Sequence, residues 1–433
     1  LRVKLVRWFF FLCLIIFSAG CAEMMVSRIL PAEETPTALA MVTATPTPYV
    51  PPEITELPVQ PVSLRVWLPP EFAPVEDNHG GKLLEARLKE FQTRHEMRVE
   101  IRVKALDGEG GMVNALTTAN AAAPLALPDV VALPRVLLEK AALKGLLYPL
   151  DEYDSILNAP DWYEYTRQLA NIQGSTYGIP FAGDAQVVVY RTKVLGKPPR
   201  TWDAVLASKY ALMFPAGEAD AFFPIAQYIA NGNSLQDSEG RPQLDPDALT
   251  KVFNFFEQAQ RGEQMPYWLS QYETDDQAWQ AFLDNRSPLV VTWLSRYLKN
   301  PPADTAIGVI PTSTGEDFGL MRGWLWVVTT PDPQRRKLGA ELIQYMVMSE
   351  FTSAWTETAG YLPPQMSAFQ TWQDGNRKQT AERVIAAGHV APASDVLSVI
   401  SPVLKDVTVR ILKNQIDAPT AAQEAANKVK SPQ

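Results

Sequence analysis

Apolar positions along this chain switch between two spacings. Residues 64–68 (Leu-Arg-Val-Trp-Leu) form a short strand-like run, and Leu84, Leu88 and Phe91 then recur at i, i+4 and i+7, a helical face. Val99, Ile101 and Val103 fall on one side of an alternating strand over Arg98–Val103. Continuous apolar runs at 129–133, 187–190 and 289–293 fit strands buried on both faces. Helical stripes follow at Leu249, Val252, Phe253 and Phe256, at Leu338, Leu342 and Tyr345, and at Val396, Ile400, Val403, Val407 and Ile411. Strands alternating with helices throughout predict an α/β architecture with largely parallel sheets. The sequence carries no internal repeat and no collagen, coiled-coil or propeller period.

The N-terminal part follows neither spacing. Arg2, Lys4 and Arg7 precede an apolar run over 8–17, well short of the ~20 residues a membrane-spanning helix needs. Small residues Ser18, Ala19 and Gly20 then lead to Cys21, which is signal-peptide anatomy. The four residues resemble the lipobox of bacterial lipoproteins, with Ser18 where Leu is usual. Residues 1–20 are therefore expected to be removed and Cys21 to carry a lipid; an uncleaved anchor is the alternative. Residues 22–62 hold eight prolines, six threonines and no glycine, too little apolar surface to fold, so 21–62 reads as an extended tether.

At 433 residues the chain exceeds one compact core, and two domains are expected. Without the first twenty residues it holds 36 Lys and Arg against 48 Asp and Glu, near −12, which argues against nucleic acid as a partner. Both cysteines, Cys13 and Cys21, lie in the leader, so the body has no disulfide and no thiol nucleophile. His79, His95 and His389 are scattered, and no HExxH, GxSxG, Walker A or Cys/His cluster is present. No metal and no cofactor are expected. A pair of carboxylates working as a glycosidase is the one enzymatic route the composition leaves open.

Several segments, in order, resemble the family 1 extracellular solute-binding proteins, the maltose-binding-protein-like group. They are Pro128-Asp-Val-Val-Ala-Leu with Gly145-Leu-Leu-Tyr-Pro-Leu-Asp151; Gly174-Ser-Thr-Tyr-Gly-Ile-Pro-Phe181; Val188-Val-Tyr190 with Pro199-Arg-Thr-Trp-Asp203; 281–293 ending in Thr-Trp293; Gly323-Trp-Leu-Trp-Val-Val-Thr-Thr330; and Gly360-Tyr-Leu-Pro-Pro364. Arg191 stands where the family usually has Asn, and Asn285 where it often has Gly. The resemblance covers about 64–430 and implies a type II periplasmic-binding-protein fold: two α/β lobes joined by a multi-crossing hinge. Lobe one would comprise 63–183 plus 322–362, and lobe two 184–321 plus 363–433. The chain would cross near 181–184, 319–324 and 361–364.

The resemblance further implies a monomeric, lipid-anchored, non-enzymatic lipoprotein on the outer face of the cytoplasmic membrane. It would capture a small solute, by preference a sugar or oligosaccharide, between the lobes and deliver it to the transmembrane subunits of an ABC importer. A tethered glycoside hydrolase and a sensor without transport are the alternatives. Trp293 falls at the position of a sugar-stacking tryptophan, and Asp184 at that of an acidic ligand residue. Trp324, Arg322 and Arg135 fall near the expected cleft, as do Phe222 and Tyr361. Leu133 stands where sugar-stacking members carry Trp, and Arg135, Arg296 and Arg322 could instead meet an anionic solute.

Overall fold

The computed structural model describes residues 63–373 and 375–430. The leader, Cys21 and the 21–62 tether therefore lie outside the described residues. The strands, in chain order, are β1 (Ser63–Leu68), β2 (Arg98–Val103), β3 (Val130–Pro134), β4 (Asn171–Ile172), β5 (Ser175–Thr176), β6 (Ile179–Arg191), β7 (Leu212–Met213), β8 (Leu289–Trp293), β9 (Thr305–Gly308), β10 (Gly319–Val328) and β11 (Gly388–Val390). Nine of them form one sheet along the path β2-β1-β3-β10-β6-β8-β7, with β11 added to β10 and β9 to β6; β4 and β5 make a separate hairpin.

The sheet has two halves that share β6. In the first, β1 runs parallel to β2 and to β3, while β10 returns antiparallel between β3 and the start of β6. In the second, residues 186–191 of β6 pair antiparallel with β8 and β9, and β7 lies parallel to β8. The expectation of largely parallel sheets is thus corrected to a mixed sheet: β10 carries the chain back across the join antiparallel to β3 and β6 and parallel to β11, and β6 runs antiparallel to β8 and β9. The continuous apolar runs behave as expected: β8 and all of β6 except Arg191 are buried. β2 is an edge strand, and its alternating face is only half covered, with Val103 exposed.

Three segments meet at Gly183. Gly323 of β10 pairs with it on one side. On the other, Gly183 and Leu362 exchange backbone hydrogen bonds of 2.7 and 2.8 Å. The segments 181–184, 319–324 and 361–364 thus come together at one point. Glycine is required for close approach here: a Cβ on Gly183 would strike the Tyr165 ring, and one on Gly323 would strike Leu169 and the Ala182 carbonyl. Asn285 shows why the family's glycine can be replaced: its φ is 62°, the left-handed region that glycine occupies freely and Asn tolerates.

The helices expected from periodicity are present over His79–Arg94, Pro246–Arg261, Pro333–Met346 and Ser394–Leu412. A last helix, Ala418–Lys430, lays an alanine stripe (Ala418, Ala421, Ala422, Ala425, Ala426) wholly buried beside the 246–261 helix. Among the described residues no helix is long and apolar enough to cross a membrane.

Candidate functional site

A cavity of about 730 Å³ opens beside the Gly183 join. Its walls come from strand ends and from the helices that follow them. β8 delivers Trp293, and the chain turns at once into the helix Leu294–Lys299, which presents Ser295, Arg296 and Lys299. Along the otherwise buried β10, Arg322 and Trp324 are the half-buried positions, as strand alternation requires of residues sharing one face. Arg135 and Glu139 come from the helix Arg135–Leu143 that follows β3. Asp275, Trp279 and Leu283, four apart, line the cavity from one face of the helix Asp275–Leu283. Phe222, with Asp220 just before it, and Tyr361, just after the left-handed Gly360 that ends the helix Ser349–Ala359, complete the aromatic wall.

Six of the residues singled out in the sequence therefore face one space: Trp293, Trp324, Arg322, Arg135, Phe222 and Tyr361. Asp184 does not. It is 1% exposed, and its carboxylate accepts from the Ala185 amide (3.0 Å), the Ser295 amide (2.9 Å), the Ser295 hydroxyl (2.7 Å) and the Arg322 guanidinium (3.0 and 3.2 Å). It stands behind the wall. Leu133 is fully buried and does not line the cavity.

Trp293 is also not the open platform that its position suggested. The Arg322 guanidinium carbon lies 3.6 Å from the centre of its indole, and Phe222 meets it edge-on at 5.3 Å, leaving the residue 4% exposed. Trp324 is the more open indole, braced by the edge of Phe72 at 4.7 Å. Tyr361 stacks on Trp355 with a 2° interplanar angle, and its hydroxyl accepts from Lys299 Nζ at 3.1 Å.

Each arginine of the wall already has an acid. Arg135 pairs with Glu139 at 2.6 Å and also donates to the Gln168 and Leu169 carbonyls. The second Glu139 oxygen accepts from the Ser394 amide at 2.6 Å, at the start of the 394–412 helix. Arg296 pairs with Asp275 and Asp276, and Arg322 with Asp184. Burial pulls the Lys299 pKa down, against the pull of Asp184 and Glu71. It also raises Asp275, opposed by Arg296, and raises Asp220. Asp220 and Glu71 line the cavity with no side-chain hydrogen bond or ion pair among the described residues. The wall thus offers aromatic faces, acid-paired arginines, a Lys299 ammonium bonded to the Tyr361 hydroxyl, and carboxylates with acceptor capacity to spare. Among the described residues no group of His, Cys, Asp and Glu gathers as a metal would need.

Sequence reasoning did not single out Asp275, Trp279, Lys299, Ser295, Asp220, Glu71 or Glu139. The four-residue spacing of Asp275, Trp279 and Leu283 is in the sequence, but such a stripe reads equally well as packing.

The chain resembles known proteins in sequence and in fold. Residues 86–380 match the family model described as bacterial extracellular solute-binding protein. The maltotriose-binding protein of Pyrococcus abyssi (strain GE5 / Orsay) is 26% identical over 200 residues, a match spanning 42% of each chain. Among solved structures, the sugar-binding protein MalE from Xanthomonas citri superposes with a TM-score of 0.70 at 18% identity, covering 85% of this chain and 96% of that one. Maltose-bound MalE3 of T. maritima gives 0.65 at 16% identity, covering 85% and 99%. A cyclo/maltodextrin-binding protein complexed with maltotetraose gives 0.67 at 19%, covering 86% and 97%.

Proposed function

Because the chain belongs to the bacterial extracellular solute-binding protein family, we propose that it captures a neutral oligosaccharide in the cavity beside the Gly183 join and hands it, unaltered, to the membrane subunits of an ABC importer. The observation that carries this reading is the make-up of the wall. Trp324 offers the open indole that the C–H face of a pyranose ring covers, Phe222, Tyr361 and the rim of Trp293 border the same space, and Asp220 and Glu71 offer acceptors for hydroxyls. The pairing of Arg135, Arg296 and Arg322 with protein carboxylates favours a neutral guest over the anionic one that the three arginines alone would admit. The maltotriose-, maltose- and maltodextrin-binding relatives support the same substrate class. A cavity of about 730 Å³ is within the range of roughly 300–1,000 Å³ usual for small-molecule sites.

In this reading the lobes are 63–183 plus 322–362 and 184–321 plus the C-terminal helices. Sequence reading gives 363–433 to lobe two; the hydrogen bonds of Met366 and Ser367 to Asp161 support assigning 363–372 to lobe one instead. Contacts from both lobes exist together only in the closed form, so ligand shifts the population toward closure and the importer reads that shape. Cys21 supplies the lipid that keeps the body at the outer face of the cytoplasmic membrane, with 22–62 as spacer; the molecule works as a monomer and is not an enzyme.

A thermal-shift screen of the protein against malto-oligosaccharides, other neutral oligosaccharides, polyols, amino acids and sugar phosphates tests the proposal. A neutral oligosaccharide is expected to raise Tm by linkage and to be recovered intact by chromatography after long incubation. Stabilisation by anionic solutes alone, or recovery of shortened sugars, contradicts it.

A further inference from the structure

Asp184 and Arg322 form an arrangement that a plain sugar-stacking cleft does not need. Asp184 gathers donors from three segments: its own strand β6, Ser295 in the helix after β8, and Arg322 on β10. None of its oxygens is left for a ligand, because it is buried and accepts both main-chain and side-chain donors. Arg322 keeps 43% of its side chain exposed while its partner keeps 2%. The guanidinium therefore has one edge on a buried carboxylate, one face 3.6 Å from the Trp293 ring, and the rest turned to the cavity it lines.

We propose that Asp184 is a specificity-determining positioning residue that never touches the ligand: it holds the Arg322 guanidinium over Trp293 and cancels its charge, so that a neutral polyhydroxyl guest meets a donor-bearing surface there and a carboxylated analogue gains nothing. The proposal rests on the oligosaccharide reading and narrows it. Two physical consequences follow. A guanidinium already bonded to a carboxylate still has N–H groups for hydroxyl oxygens, since it carries five donors in all. Its net field in the cavity, however, is small, because Asp184 sits against it with the opposite charge, and an incoming carboxylate must also approach Asp220 and Asp275. Arg322 is a cation common to the surroundings of Asp220 and Asp275, so both bear on how much of its charge a ligand sees.

The test uses the wild type, D184N and R322Q, each titrated with maltotriose and with the same trisaccharide whose primary alcohols have been oxidised to carboxylates. A parallel readout needs no ligand: fluorine NMR of protein labelled with 5-fluorotryptophan, with the Trp293 resonance assigned through W293F. The wild type is expected to favour maltotriose over the carboxylated sugar by at least about tenfold. D184N frees the charge of Arg322 and shrinks that preference by about tenfold, whereas R322Q leaves Asp184 uncompensated and enlarges it. General damage to the fold would weaken both sugars together and leave the ratio where it was. The Trp293 resonance moves in both variants.

A preference unchanged in both variants overturns the proposal, and so does a Trp293 resonance that stays in place in both. If the wild type binds neither sugar, the oligosaccharide reading has failed, and the resonance alone decides whether Asp184 holds Arg322 over Trp293.

Discussion

At Glu218, two residues before Asp220, burial together with the nearby Asp275 and Asp220 pushes the carboxyl pKa from 4.5 up to about 8. The folded protein therefore keeps a proton that the unfolded chain gives up. Its contribution to stability is fully present below about 4.5 and is lost as pH rises through about 8. E218Q is neutral at every pH and escapes that loss. Its Tm advantage over the wild type is expected to widen between about pH 5 and about pH 9 in a series of thermal melts. An advantage that stays constant across the series would mean that Glu218 ionises at no cost. A place beside the cavity was legible in the sequence where a motif set a residue at a strand end, as for Trp293 and Trp324. The occupant of the Trp293 face was not legible, because Arg322 and Asp184 lie 138 residues apart and Ser295 and Asp184 lie 111 apart. Local spacing carries no trace of such a meeting.

Elements were more legible than side-chain partners, because hydrophobic period is a local property. The 289–293 run and the stripe from Val396 to Ile411 became the strand and the helix expected. Strand direction was less so: β10 looks like any buried strand, and only its return across the join makes it antiparallel to β3 and β6. The alanine stripe of the 418–430 helix has a consequence of its own. Ala422 and Ala425 are fully buried, in a helix whose fullest contacts are with the 246–261 helix, and small residues there let the two backbones approach closely. A425L would force leucine into that gap and is expected to cost about 1–3 kcal/mol by denaturant titration. A loss below the error of the titration would show that the two helices are free to move apart.

At the scale of the whole molecule, three strands of chain passing Gly183 both join the sheet halves and border the cavity, since Arg322, Gly323 and Trp324 line it next to that join. The join and the cavity therefore share residues. Motif order placed the segments 174–181 and 323–330 in order along the chain, and the fold brings them side by side next to this join; the balance of charges across the cavity was not legible, since it depends on which acids the fold brings to which arginines. Calorimetric titration of the protein with maltotriose, beside the same titration of W324A, tests the central claim most directly. One site per chain with micromolar affinity, about 8 kcal/mol, weakened at least about tenfold by W324A, is the predicted result. Equal binding by the two proteins, or no heat with maltotriose or any other neutral oligosaccharide, would contradict it.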